Sequence, residues 1–201
     1  MSDKSPTPNP ELLAFMRNLG ALDGPYLEQI AQALQVVTPS RGTLLVSPGE
    51  VADKCYMIIR GCVRQYVETE DGKELTTGFF TESQAVVSFQ SFKNRVPVNH
   101  YWVCAEDCCM IVGDAQGESE MYAQYPELEA MTRSWVEMDF GKQQEDFARF
   151  IASSAEERYL HLLESRPELL QRVPQHQIAS YLGVTPESLS RIRRRILKDR
   201  R

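Results

Sequence analysis

The stretch HQIASYLGVTPESLSRIRRRIL, residues 176–197, fixes how the C-terminal part of the chain folds. Ile178, Ala179 and Leu182 fall on one face of a short helix, and Gly183 follows where a tight turn needs a left-handed residue. Ala179 is small, as a close crossing of two helices requires. Thr185 can cap a second helix, and Pro186 suits its first position, where a missing N–H costs nothing. Leu189, Ile192 and Ile196 then share an inward face, which completes a helix-turn-helix pattern. The outward face carries Glu187, Ser188, Arg191, Arg194 and Arg195. Glutamate can accept from cytosine N4 and arginine can span guanine O6 and N7, while other cations reach phosphates. With Gln177, Thr185 and Lys198, these side chains are the candidate contacts to double-stranded DNA. A solvated face on an ordinary bundle would explain the charges but not the spacing of Ala179, Gly183 and the apolar positions.

The distribution of charge agrees. The 201 residues sum to −6, but residues 172–201 hold eight basic and two acidic groups (8 − 2 = +6). The other 171 hold 14 basic and 26 acidic groups (14 − 26 = −12). Such asymmetry implies a polyanionic partner for the basic end. The start, MSDKSPTPNPELLAF, lacks the basic-then-apolar order of a signal peptide, and no apolar run nears the ~20 residues of a membrane helix. A cytoplasmic protein with no membrane partner is expected. Cys55, Cys62, Cys104, Cys108 and Cys109 are odd in number and form no CxxC pair, so they read as small core residues. No nucleophile–base pair, metal-ligand spacing or phosphate-cradling loop is present, so neither an enzyme nor a cofactor is expected.

Working towards the N-terminus, residues 155–201 read as a compact helical segment whose first helix, marked by Ala155, Tyr159, Leu162 and Leu163, stops at Arg166-Pro167. Residues 114–151 are helical, and Leu128, Met131, Trp135 and Met138 step by three, four and three, as in a coiled-coil seam. This stripe is the candidate dimerisation surface, with packing on its own domain as the alternative; Phe140, Phe147, Phe150 and Ile151 add apolar bulk. Residues 37–113 alternate short apolar runs with turn signals: Thr43–Val46, Tyr56–Ile59, Val63–Val67, Leu75–Phe80, Tyr101–Cys104 and Cys109–Val112. Asp71-Gly72 between two runs predicts a hairpin turn with positive φ at both positions. The spacing implies a β-sandwich or barrel. Residues 9–36 read as two helices, carried by Leu12, Leu13, Phe15, Met16 and Leu19 and then Leu27, Ile30, Ala31 and Leu34, broken at Gly20 and Gly24-Pro25.

Taken together, the chain resembles the bacterial Crp/Fnr transcription regulators. GTLLVSPGEVADKCYMIIRGCVRQYVETEDGKELTTGFF (42–80) is similar to the opening of a cyclic-nucleotide-binding-like β-roll, with Gly42, Gly49, Gly61 and Gly72 at its turns, and 176–197 is similar to the family's DNA reader. The resemblance implies an α+β fold: an N-terminal β-roll (a double-stranded β-helix) with flanking helices over 1–125, a dimerisation helix over 126–151, and a helix-turn-helix domain over 152–201. It implies a homodimer, a small-molecule effector and RNA polymerase as partners. Glu187 and Arg191 match positions that contact bases in the family; Pro186 stands where a base-reading arginine is found in the best-known member. In nucleotide-binding members a Gly-Glu pair holds the ribose and an Arg-Ser or Arg-Thr pair the phosphate. Here Ser88-Phe89 and Asn99-His100 match those places, with Arg95 the sole arginine between residues 86 and 107. Cyclic AMP is therefore not expected to bind by the usual contacts, and the effector is open. Ser88, Phe89, Gln90, Asn99 and His100 are the candidate pocket residues. Iron–sulfur members use an N-terminal cysteine group, and residues 1–54 contain none; a haem would have to use His100, the only histidine of the sensor. The family's usual wing is not expected after Leu197, which marks an abbreviated form. Signal transfer is expected at a hinge near Ser153-Ser154. The alternative function is a cyclic-nucleotide-regulated protein-interaction module without DNA binding.

Overall fold

The computed structural model describes residues 9–18 and 24–199. Leu19, Gly20, Arg200 and Arg201 lie outside them. The chain divides into two compact units: one takes in the chain up to Gln65 and Phe79–Ser134, the other Tyr66–Gly78 and everything from Trp135 on.

The first unit opens with α1 (Pro10–Asn18) and α2 (Gly24–Ala33), followed by β1 (Gln35–Val37), β2 (Leu44–Val46) and β3 (Lys54–Arg60). β4 (Val63–Glu68) and β5 (Glu74–Phe80) form the hairpin whose outer part joins the second unit. β6 (Ala85–Val86), α3 (Phe89–Asn94), β7 (Tyr101–Cys104), β8 (Cys109–Asp114) and α4 (Ala115–Gln124) follow. One sheet runs β1-β8-β3-β6 and the other β2-β7-β4-β5. Strand alternation sends the two faces of β3 into different cores. Ile58 joins Val63, Val86, Trp102 and Met110 in one cluster, while its neighbours Met57 and Ile59 pack with Leu12, Phe15 and Ile30 of α1 and α2. The register Met57↔Ile111 and Ile58↔Met110 carries the same division onto β8.

All six expected strands are present. Three local expectations are corrected. Residues 35–36 belong to β1 rather than a helix, because two β-branched valines pair antiparallel with Met110 and Ile111. Residues 89–94, which lie between the expected strands, form α3, too short to show a helical period. The Asp71-Gly72 turn has positive φ only at Gly72 (75°). Gly72 N–H donates to Thr69 O (2.9 Å) and Thr69 N–H to Lys73 O (2.9 Å), so the five residues between the strands place the left-handed residue after the bend.

The second unit contains most of α5 (Pro126–Ala152), then α6 (Ala155–Ser165), α7 (Leu169–Arg172), α8 (Gln175–Tyr181) and α9 (Pro186–Asp199). Ser154 and Glu157 form a reciprocal capping box that starts α6. The joint at Ser153-Ser154 is bridged by side chains. Arg149 Nη1 lies 3.2 Å from His161 Nδ1, His161 Nε2 lies 3.7 Å from Asp146, and the Arg158 guanidinium stacks 4.5 Å from the Phe150 ring centroid.

Candidate nucleic-acid interface

α8 and α9 are joined by Leu182–Thr185. Gly183 adopts φ 70°, and Val184 N–H closes the turn on Ala179 O at 2.9 Å. Ile178, Ala179, Leu182, Leu189 and Ile196 are buried, so the inward face of the motif is the one its spacing predicts. Thr185 Oγ1 accepts the Ser188 N–H at 3.2 Å, which caps α9 directly before Pro186.

The outward face is polar and open. Glu187, Arg191, Arg194 and Lys198 are exposed, and Ser188 is half-buried. Arg191 Nη2 donates to Ser188 Oγ (3.0 Å), and Arg194 Nη2 to Ser190 Oγ (3.3 Å). The Glu187 carboxyl is held below the usual range, first by its own backbone N–H, then by Thr185 and the nearby Arg191 charge. A carboxylate acceptor and two guanidinium forks thus stand on one capped helix. Gln177, on α8, is half-buried, and its Oε1 is buried with no hydrogen bond among the described residues. Arg195 differs from the rest: its Nε donates to Glu156 Oε1 at 3.1 Å and its Nη2 pairs with Glu156 Oε2. The sequence pattern placed Arg195 with the DNA contacts and held no signal for this partner on α6.

In the sensor, Ser88 precedes α3 directly and Asn99-His100 precedes β7 directly. Phe89 is 51 % exposed, and Gln90 and Asn99 are exposed as well. His100 stacks on Trp102 with ring centroids 5.0 Å apart, and burial holds its pKa below the ordinary imidazole value. Arg95 lies 3.6 Å from Asp53. A pocket of about 410 Å³ opens elsewhere, lined by Val46, Glu50, Asp53, Lys54, Tyr56 and Trp102 among others. None of Ser88, Phe89, Gln90, Asn99 and His100 lines it. Trp102 itself fills the roll interior at 1 % exposure, its indole N–H donating to Gln65 Oε1 at 2.8 Å. The five cysteines are free thiols, four of them buried, and burial pushes the Cys55 thiol up to about 12.

On α5 the expected stripe divides. Leu128 packs against the α1–α2 core, Met131 and Trp135 are half-buried, and Met138 is 66 % exposed. Phe140, Phe147 and Ile151 are 61 %, 67 % and 68 % exposed. With exposed Gln144 they step four, three and four, a seam on the opposite face that the sequence spacing already contained.

The fold is a β-sandwich of the cyclic-nucleotide-binding type, a long helix and further C-terminal helices. Residues 37–125 match the family model of the cyclic nucleotide-binding domain. The chain shares its architecture with Crp/Fnr transcription regulators. CooA from Carboxydothermus hydrogenoformans, solved as a double mutant, aligns with TM-score 0.69 at 14 % identity, covering 97 % of this chain and 88 % of that one. The regulator CLP of Xanthomonas campestris, described as c-di-GMP-responsive, aligns with TM-score 0.65 at 19 % identity, covering 85 % and 89 %. A Eubacterium rectale protein assigned to the crp/fnr family of transcriptional regulators aligns with TM-score 0.65 at 14 % identity, covering 92 % and 88 %. No curated protein matches in sequence. No helix among the described residues is long and apolar enough to cross a membrane.

Proposed function

We propose that the chain is a homodimeric, cytoplasmic, sequence-specific DNA-binding transcription regulator of the Crp/Fnr type, with RNA polymerase as a further partner. The observation that carries this reading is the capped α9, which exposes Glu187, Arg191, Arg194 and Lys198 over a buried apolar face. Two such helices enter successive major grooves about 34 Å apart when the protein is a two-fold dimer. Its domains follow the boundaries 1–125, 126–151 and 152–201. The dimer seam we favour is Phe140, Gln144, Phe147 and Ile151 rather than Leu128, Met131, Trp135 and Met138. The former face is open, and Gly141 and Ala148, one residue after each phenylalanine, leave room for the facing rings.

The effector is not cyclic AMP bound by the usual contacts, and no cofactor is required. A cyclic phosphate needs a cation and donors. His100 has its charged form disfavoured by burial, and Arg95 is shared with Asp53. Trp102 occupies the interior of the roll. The test is selection of duplexes from a random pool with and without cyclic AMP. A palindromic site enriched in both conditions supports the reading. Enrichment only with cyclic AMP overturns the account of the sensor, and none in either removes DNA recognition by the protein alone.

A further inference from the structure

The β4–β5 hairpin has a contact that the DNA-reading surface does not use. Among the described residues β5 is the outer strand of its sheet, so half of its backbone groups face away from β4. The Ser180 hydroxyl of α8 serves two of them. It accepts the Thr76 N–H at 2.9 Å and donates to Glu74 O at 3.2 Å. Thr76 is 3 % exposed, which puts its half of the contact out of water's reach. Ser180 follows Ala179, the small residue at the helix crossing, and precedes the Gly183 turn by three residues. Its contact is made from α8, whereas Glu187 and Arg191 stand on α9. Beyond α8, the Phe150–Tyr181 rings (6.4 Å) and the Arg158–Phe150 stack tie the same helices to α5. With Arg149, Asp146 and His161 also spanning Ser153-Ser154, the expected hinge is braced.

We propose that Ser180 is a positioning residue for DNA recognition: through it the β4–β5 hairpin braces the reader, so that hairpin order and DNA affinity are linked. The inference rests on the DNA-binding reading above. Linkage of this kind is reciprocal. A reader released from the hairpin samples more orientations and must be ordered again on the duplex, so loss of the hydroxyl weakens binding. The net worth of a neutral hydrogen bond corresponds to about a two- to tenfold change in an equilibrium.

The experiment compares the full-length protein, Ser180→Ala and Ser180→Thr, by amide exchange over residues 66–78 and by affinity for a duplex selected with the unaltered protein. Expected are faster exchange of the hairpin in Ser180→Ala without DNA and binding about two- to tenfold weaker. Ser180→Thr, which keeps the hydroxyl, restores both. Added duplex slows hairpin exchange in the unaltered protein and less so in Ser180→Ala. Unchanged exchange in Ser180→Ala removes the contact, and faster exchange with unchanged affinity removes the positioning role. If the unaltered protein selects no duplex, the DNA reading itself fails and this role with it. A loss confined to the variant separates the two cases.

Discussion

Replacing Glu156 by Gln releases Arg195. The pair joins α9 to the first turn of α6, with Nε–Oε1 at 3.1 Å and side chains 60 % and 30 % exposed. An ion pair this open is worth only ~0.2–1 kcal/mol, so a DNA phosphate can compete for the guanidinium once Glu156 is neutral. Each phosphate neutralised adds about 0.9 to the slope of log affinity against log salt. Glu156→Gln should therefore steepen that slope by about 0.9 and tighten binding most at low salt. Arg195→Ala in the otherwise unaltered protein should leave the slope unchanged and lower fold stability by ~0.2–1 kcal/mol. Combining the two changes should abolish the gain. The assay is fluorescence anisotropy of a labelled duplex from about 50 to 200 mM salt, with urea unfolding for stability. If Arg195→Ala alone flattens the slope by about 0.9, Arg195 already contacts phosphate and the reasoning fails.

Three further outcomes are expected. Arg191→Ala should cost ~1–3 kcal/mol on a selected site and relax its sequence preference; an equal loss on random duplex would mean the recognition face is misassigned. Phe147→Ser should shift the protein towards monomer in sedimentation, whereas Met138→Ser on the opposite face should not; the reverse result returns the seam to the Met131–Met138 stripe. His100 is held below its ordinary pKa of 6.5 by burial, so the unfolded chain takes up its proton first. Its contribution is fully present above pH 6.5 and is lost as pH falls through that value towards the folded pKa. His100→Gln should flatten the stability profile there, and an unchanged profile would show that the ring titrates alike in both states.

The turn between α8 and α9 and the six strands were legible because their signals are local: a glycine at φ 70°, a threonine cap, and apolar residues at helical or alternating spacing. β1 and β6, of three and two residues, owe their extended form to β8 and β3, which no local window contains. The face of α5 that its own core covers was not legible for a related reason. Two apolar stripes lie on opposite faces, and only the docking of Leu128 on α1 and α2 shows which one its own core covers. Arg195 carries the same charge as Arg191 and Arg194 one turn or less away, and its partner lies 39 residues earlier in the chain. Ser88-Phe89 stands at the start of α3 and Asn99-His100 directly before β7, whereas the pocket is lined from β2, β3 and Trp102. Cavities depend on how strands meet, and that is not written in any single strand.

Ser180 reaches back 104 positions to Thr76, and Tyr66–Gly78 clusters with the C-terminal helices. The body that holds α8 and α9 is thus assembled from two separate stretches of sequence. No single recombination breakpoint can exchange it whole between regulators of this architecture. A chimera joined within α5 inherits the donor's helices and the recipient's hairpin. On the proposed DNA-binding reading, specificity can then be swapped by changing side chains on α9, while transplanting the whole body requires grafting residues 66–78 along with it.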